Sequence, residues 1–108
     1  MTPGLYWQGS HRVDLTVSLP EPSRALTAAR AVVRAFPGAT MSARNDGYWQ
    51  GQIEASHTVS VVSDDPEALR AQVAEAIRLA HVAGCVCVQV ESWDHDTYTA
   101  AEYRRGEG

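Results

Sequence analysis

Residues 11–19 read His11-Arg12-Val13-Asp14-Leu15-Thr16-Val17-Ser18-Leu19, a strict alternation of polar and apolar side chains. In an extended chain, alternate residues point to opposite sides. Val13, Leu15, Val17 and Leu19 therefore share one face, and Arg12, Asp14, Thr16 and Ser18 share the other. This is the pattern of a strand with one face in a core and one outside it. Pro20-Glu21-Pro22 ends it, since two prolines cannot continue a ladder.

The chain then changes period. Leu26, Ala29, Val33 and Phe36 recur at helical spacing, so residues 23–36 are expected to be a helix. It opens with Ser23 as N-cap or Pro22 as first helical residue, and Pro37-Gly38 closes it. Ala39 to Arg44 can hold a short strand, and Asn45-Asp46-Gly47 is a turn signal. From about Tyr48 to Ser63 alternation returns. Ile53, Ala55, His57, Val59 and Val61 fall on one face, and Glu54, Ser56, Thr58 and Ser60 on the other, with Gly51 as a bulge or bend. Asp65-Pro66-Glu67 is a helix start, with an N-cap, a proline at N1 and an acid in the first turn. Leu69, Val73, Ala76, Ile77 and Ala80 form its apolar stripe, and Gly84 is a natural C′ residue. A last strand is expected from Cys85 to Trp93, with Val86, Val88 and Val90 inward and Cys85, Cys87, Gln89 and Glu91 outward.

The element order is β-α-β-β-α-β. That is the split βαβ pattern of a ferredoxin-like α+β fold, an antiparallel sheet with two helices on one face. Residues 1–93 read as a single domain of this kind and residues 94–108 as a polar C-terminal tail. A chain of 108 residues leaves no room for a second domain, and can bury roughly two-thirds of its unfolded surface. Tyr6-Trp7-Gln8-Gly9 recurs as Tyr48-Trp49-Gln50-Gly51. Either a βαβ half has been duplicated, which would make the first copy an extra N-terminal edge strand, or two aromatic strand starts coincide.

Composition removes several function classes. The chain carries nine Arg, no Lys, sixteen Ala and a net charge of −4. The acidic balance speaks against nonspecific binding to nucleic acid or to an anionic membrane. RNA recognition on such a sheet needs exposed aromatics on the central strands, where this chain has Thr, Ser and Cys. No apolar run approaches a membrane span, and Met1 to Trp7 shows no leader pattern, so a cytoplasmic location is expected. The missing Lys and abundant Ala and Arg suggest a GC-rich source, an actinobacterium or one of its phages.

No motif assigns an activity. His11, His57, His81 and His95 have no ligand spacing with one another or with Cys85 and Cys87, so no metal site and no cofactor are expected. His57 lies on the apolar side of its strand, where a hydrogen-bonded core histidine is the ordinary outcome. There is no nucleophile elbow, no phosphate-binding glycine loop, and no catalytic residue to name. Two surfaces stand out. Thr16, Ser18, Ser56, Thr58 and Ser60 make the predicted outer sheet face small and uncharged, suited to close approach by a second copy. Tyr6, Trp7, Tyr48 and Trp49 are candidate interface anchors. His57, Glu54, Glu91 and Cys87 are the candidates for lining a ligand pocket.

Phe36-Pro37-Gly38, Gly47-Tyr48-Trp49-Gln50-Gly51, His57 to Val62 and Asp64-Asp65-Pro66 together resemble a bacterial family of small domains of unknown function, which implies the same fold and no activity. Trp49-Gln50-Gly51-Gln52-Ile53-Glu54 is similar to a strand of the CutA divalent-ion tolerance proteins, which are ferredoxin-like trimers. Pro37-Gly38-Ala39-Thr40 replaces the Ala-Ala-Cys-Val segment of that family, so its metal binding does not carry over. The expected function is that of a small regulatory or accessory protein without enzymatic activity. It would form a dimer or trimer and bind a protein partner. The alternative is a cofactor-free enzyme or a small-ligand or metal binder with a pocket at the interface between copies.

Overall fold

The computed structural model describes residues 11–94 and 97–106, with Trp49 described by its backbone alone. Eight elements follow in order: β1 (His11–Leu19), α1 (Pro22–Val33), β2 (Thr40–Met41), β3 (Asn45–Trp49), β4 (Gln52–Ser63), α2 (Pro66–Val82), β5 (Cys87–Asp94) and β6 (Thr97–Arg104). The strands form one antiparallel sheet in the order β2-β4-β1-β5-β6, with β3 also pairing β4. Both helices lie on one face. The fold is α+β and ferredoxin-like, as the alternation predicts, with six strands where four were expected.

β1 is central, paired along its length with β4 and over Val17 to His11 with β5. Leu15 and Val17 are fully enclosed, with Val59 and Val88 as their neighbours on the adjacent strands. The helices close this face with small side chains. Ala25, Ala28, Ala29 and Val32 of α1, then Phe36 just after it, meet Ala76 and Ala80 of α2 over the sheet. The buried stripe of α1 is thus one residue out of phase with the expected Leu26 and Val33, which are half-buried. The helix enters with Pro22 at N1 after Glu21. α2 begins as read, with the Asp65 carboxylate accepting from the Ala68 N–H at 3.1 Å.

Four local readings are corrected by pairing. Asn45-Asp46-Gly47 is not a turn but the start of β3, and the hairpin turns instead at Gln50-Gly51, both at positive φ (51° and 80°). Residues 42–44 stand opposite His57 and Thr58 of β4, a bulge in the edge strand between β2 and β3. Cys85 is buried and Val86 is 49 % exposed, the reverse of the expected phase. Gly84 at φ +110° ends α2 in a Schellman motif, with Gly84 N–H donating to His81 O and Cys85 N–H to Ala80 O. Cys85 is therefore the residue that packs back on the helix, and strand alternation starts only at Cys87. Last, residues 97–104, read as part of a tail, are β6, paired with β5 from Asp94↔Thr97 to Cys87↔Arg104. Its residues are all exposed, so no burial pattern announced it. The N-terminal edge strand lies outside the described residues.

Phe36 is enclosed on every side, whereas Ile53, on the same sheet face, lies beyond the helices and is 58 % exposed. Phe36→Ala should cost about 3–5 kcal/mol in urea unfolding. Ile53→Ala should cost under about 1 kcal/mol.

Candidate functional site

The face away from the helices has two regions. Along one side runs a chain of contacts. The Arg12 guanidinium donates from Nε (3.0 Å) and Nη2 (2.9 Å) to the two oxygens of Asp14. This forked bond explains how Asp14 tolerates being only 8 % exposed. The same guanidinium lies 4.9 Å from the Trp93 ring centre, and Trp93 meets Tyr98 at 5.3 Å. The Tyr98 hydroxyl donates to Glu91 at 2.7 Å. That bond holds the phenol proton and raises the Tyr98 pKa. The alternation located Arg12 and Asp14, but it gave no sign that Trp93 and Tyr98 would join them, because Tyr98 belongs to the unforeseen strand.

At the other end of the face, β1, the β3–β4 hairpin and the start of β5 converge on a pocket of about 260 Å³. Thr16, Ser18 and Ser56 give hydroxyls to its wall, Glu54 is its single charged group among the described residues, and Cys87 and Gln89 close it from β5. Leu19, Pro20 and Val86 form its apolar rim. Gly47 faces Glu54 across the β3–β4 ladder and leaves the wall low there. Two of the four sequence-derived pocket candidates, Glu54 and Cys87, thus come together. Three of the expected interface hydroxyls and Tyr48, which is 80 % exposed, join them. Gly47 and Val86 were not foreseen, since only the hairpin register and the cap of α2 bring them there.

The remaining candidates lie elsewhere. His57 is 5 % exposed and on the helix side. Its Nδ1 donates to the Ser42 carbonyl at 3.2 Å, closing the bulge. It is the hydrogen-bonded core histidine that its face suggested. Glu91 lines a shallow hollow between β5 and β6 instead. Thr58 bonds Thr16 hydroxyl to hydroxyl at 3.0 Å, and Ser60 sits beside Asp14. Tyr6, Trp7 and His95 lie outside the described residues. A larger hollow of about 510 Å³ lies on the helix side, where β6 extends past α2. Its imidazole–carboxylate pair, His11 and Asp94, is already joined at 3.1 Å. No group of three or more His, Cys, Asp or Glu among the described residues could hold a metal ion. No helix among them is long and apolar enough to cross a membrane.

No family model and no curated protein matches this chain. Solved structures do. A phage SAM lyase in its apo state superposes with a TM-score of 0.66 at 16 % identity, covering 93 % of this chain and 93 % of that one. A phage SAM lyase in complex with S-methyl-5′-thioadenosine gives 0.64 at 16 % identity, covering 89 % and 90 %. A de novo designed protein, Foldit4, gives 0.52 at 12 % identity, covering 77 % and 94 %. At these identities the likeness establishes the shared fold.

The two cysteines differ sharply. Burial pushes the Cys85 thiol up to about 11; a backbone hydrogen bond with Ser18 opposes this, and the charge of Glu54 adds to it. At pH 8 iodoacetamide should therefore label Cys87 in the folded protein and leave Cys85 untouched, read by peptide mass. Between about pH 9 and pH 11 the unfolded chain ionises this thiol while the folded chain keeps its proton. The unfolded state then binds fewer protons, so stability should fall with rising pH across that window. Cys85→Ala should flatten that slope in melts taken from pH 8 to pH 11.

Proposed function

We propose that the chain is a small-molecule enzyme of the SAM lyase type, acting on S-adenosylmethionine (SAM) in the open-face pocket. The observation that carries this reading is the charge of that pocket. Glu54 stands there with no Arg, Lys or His among the described lining residues. Such a pocket suits a cationic ligand without phosphate, and SAM is a sulfonium. The net charge of −4 favours approach of a cation in the same way. The end-to-end likeness to a phage SAM lyase, one structure of which holds S-methyl-5′-thioadenosine, supports the reading and is compatible with the phage half of the expected source, an actinobacterium or one of its phages.

The chemistry asks little of the protein beyond placement. When the bond from sulfur to the amino-acid chain breaks, both electrons stay on sulfur. S-methyl-5′-thioadenosine leaves neutral and needs no proton. The carboxylate oxygen of the amino-acid fragment can take the vacated carbon, so atoms and charge balance without an added co-reactant. Holding the substrate in the attacking geometry is then the main contribution. Glu54 is the group that would hold the substrate's positive charge. At about 260 Å³ the pocket is below the usual size for enclosing a ligand, roughly 300–1,000 Å³. The reading therefore includes a second copy of the chain completing the wall, a dimer or trimer built on the small polar face.

The purified chain incubated with SAM should release S-methyl-5′-thioadenosine, followed by chromatography. Glu54→Gln should lower kcat/KM by about tenfold to a hundredfold, the value of a hydrogen bond to a charged group, without changing the melting temperature. Light scattering should give a mass of two or three chains. A second reading, an accessory protein acting through a protein partner, draws on the exposed Tyr48, Tyr98 and Tyr103. It gains if SAM is neither bound nor cleaved.

A further inference from the structure

Gly47 lies within β3, directly across from Glu54. A glycine inside a strand weakens it, because it gives up more backbone entropy than other residues and offers no side chain to pack. Such a glycine marks a positive φ, a crowded Cβ position, a bulge or bend, or a close approach to its backbone, and the unbroken register from Asn45↔Ser56 to Trp49↔Gln52 leaves no bulge at 47. Among the described residues the glycines at positive φ are Gly38, Gly51, Gly84 and Gly106, so Gly47 has an ordinary backbone. A Cβ built on it meets no atom within 4 Å. What remains is a close approach, and the space a side chain would take is the pocket itself.

We propose that Gly47 is a substrate-contact and specificity-determining residue: the cationic centre of the ligand seats on the bare backbone of β3 there, beside the Glu54 carboxylate. The inference rests on the sulfonium reading above and adds which wall the ligand touches and why that wall has no side chain. A side chain at 47 would hold the positive centre away from Glu54, and the attraction between opposite charges falls with distance. Because the described lining holds a carboxylate and no cation, a phosphate-bearing nucleoside should bind more weakly at the same place. A neutral thioether should bind, but without the gain from Glu54.

The test uses the full chain with Gly47→Ala and Gly47→Val. SAM, S-methyl-5′-thioadenosine and ATP serve as probes, with calorimetry for affinity and a thermal melt for the fold. Both variants should melt at or above the wild-type temperature, since either residue relieves the strand glycine. Gly47→Val should weaken SAM binding by about tenfold or more, the cost of forcing extra methyl groups into a fitted contact, and Gly47→Ala by less. The loss should be larger for SAM than for S-methyl-5′-thioadenosine, and ATP should bind more weakly than SAM. Unchanged SAM affinity in Gly47→Val overturns the inference while leaving the lyase reading in place. A fall in melting temperature parallel to the fall in affinity overturns it in favour of a structural role. A wild-type chain that binds neither adenosyl compound overturns the lyase reading, and this inference with it.

Discussion

The fold depends on the two-sidedness of β1. It is hydrogen-bonded to a strand on each side, and its alternation assigns one set of side chains to the helices and the other to the open face. A slip of one residue would turn Leu15 and Val17 outward and bring Asp14 and Thr16 under the helices. That cost holds the register of β4 and β5 as well, because their buried residues, Val59 and Val88, stand beside the same two side chains. Everything on the open face, the Arg12–Trp93 stack and the Glu54 pocket alike, inherits its position from that register.

Small side chains do different work on the two faces. On the helix side, alanines let α1 and α2 sit close to the sheet and to each other, and Phe36 fills the space at the end of α1. On the open side, Ser18, Ser56 and Gly47 leave a hollow at the corner where the hairpin and the β1–α1 turn meet. The cap of α2 links the two. Its left-handed Gly84 sends Cys85 into the core and Val86 outward to the pocket rim. One local backbone conformation thus closes the core and shapes the pocket. A Cβ at Gly84 would also meet the Arg24 guanidinium at 3.1 Å, the movable end of an exposed side chain, so the positive φ is what calls for glycine there.

Charge follows the same division. Asp14 is buried beside a guanidinium that satisfies both its oxygens, so it serves the sheet. Glu54 lies half-buried in a pocket with no lining cation, which leaves its charge for a ligand. Residues of one chemical type on one face therefore have different tasks, set by what stands next to them on the neighbouring strand.

The period of β1, the helix start at Asp65-Pro66-Glu67 and the stop at Gly84 were all legible in the sequence. Each rests on contacts within a few residues or on a simple repeat, and from them the βαββαβ order followed. The face of Glu54, Cys87, Thr16, Ser18 and Ser56 was legible too, as a consequence of alternation. Tertiary structure decided what local signals left open. Asn45-Asp46-Gly47 and Gln50-Gly51 can both turn a chain, and only pairing with β4 selects the second. β6 has no buried residue to betray it and exists because β5 offers an edge. The pocket itself is a meeting of segments separated by dozens of residues. Its members were visible one by one, but their convergence comes from the order and register of the strands, which no local pattern encodes.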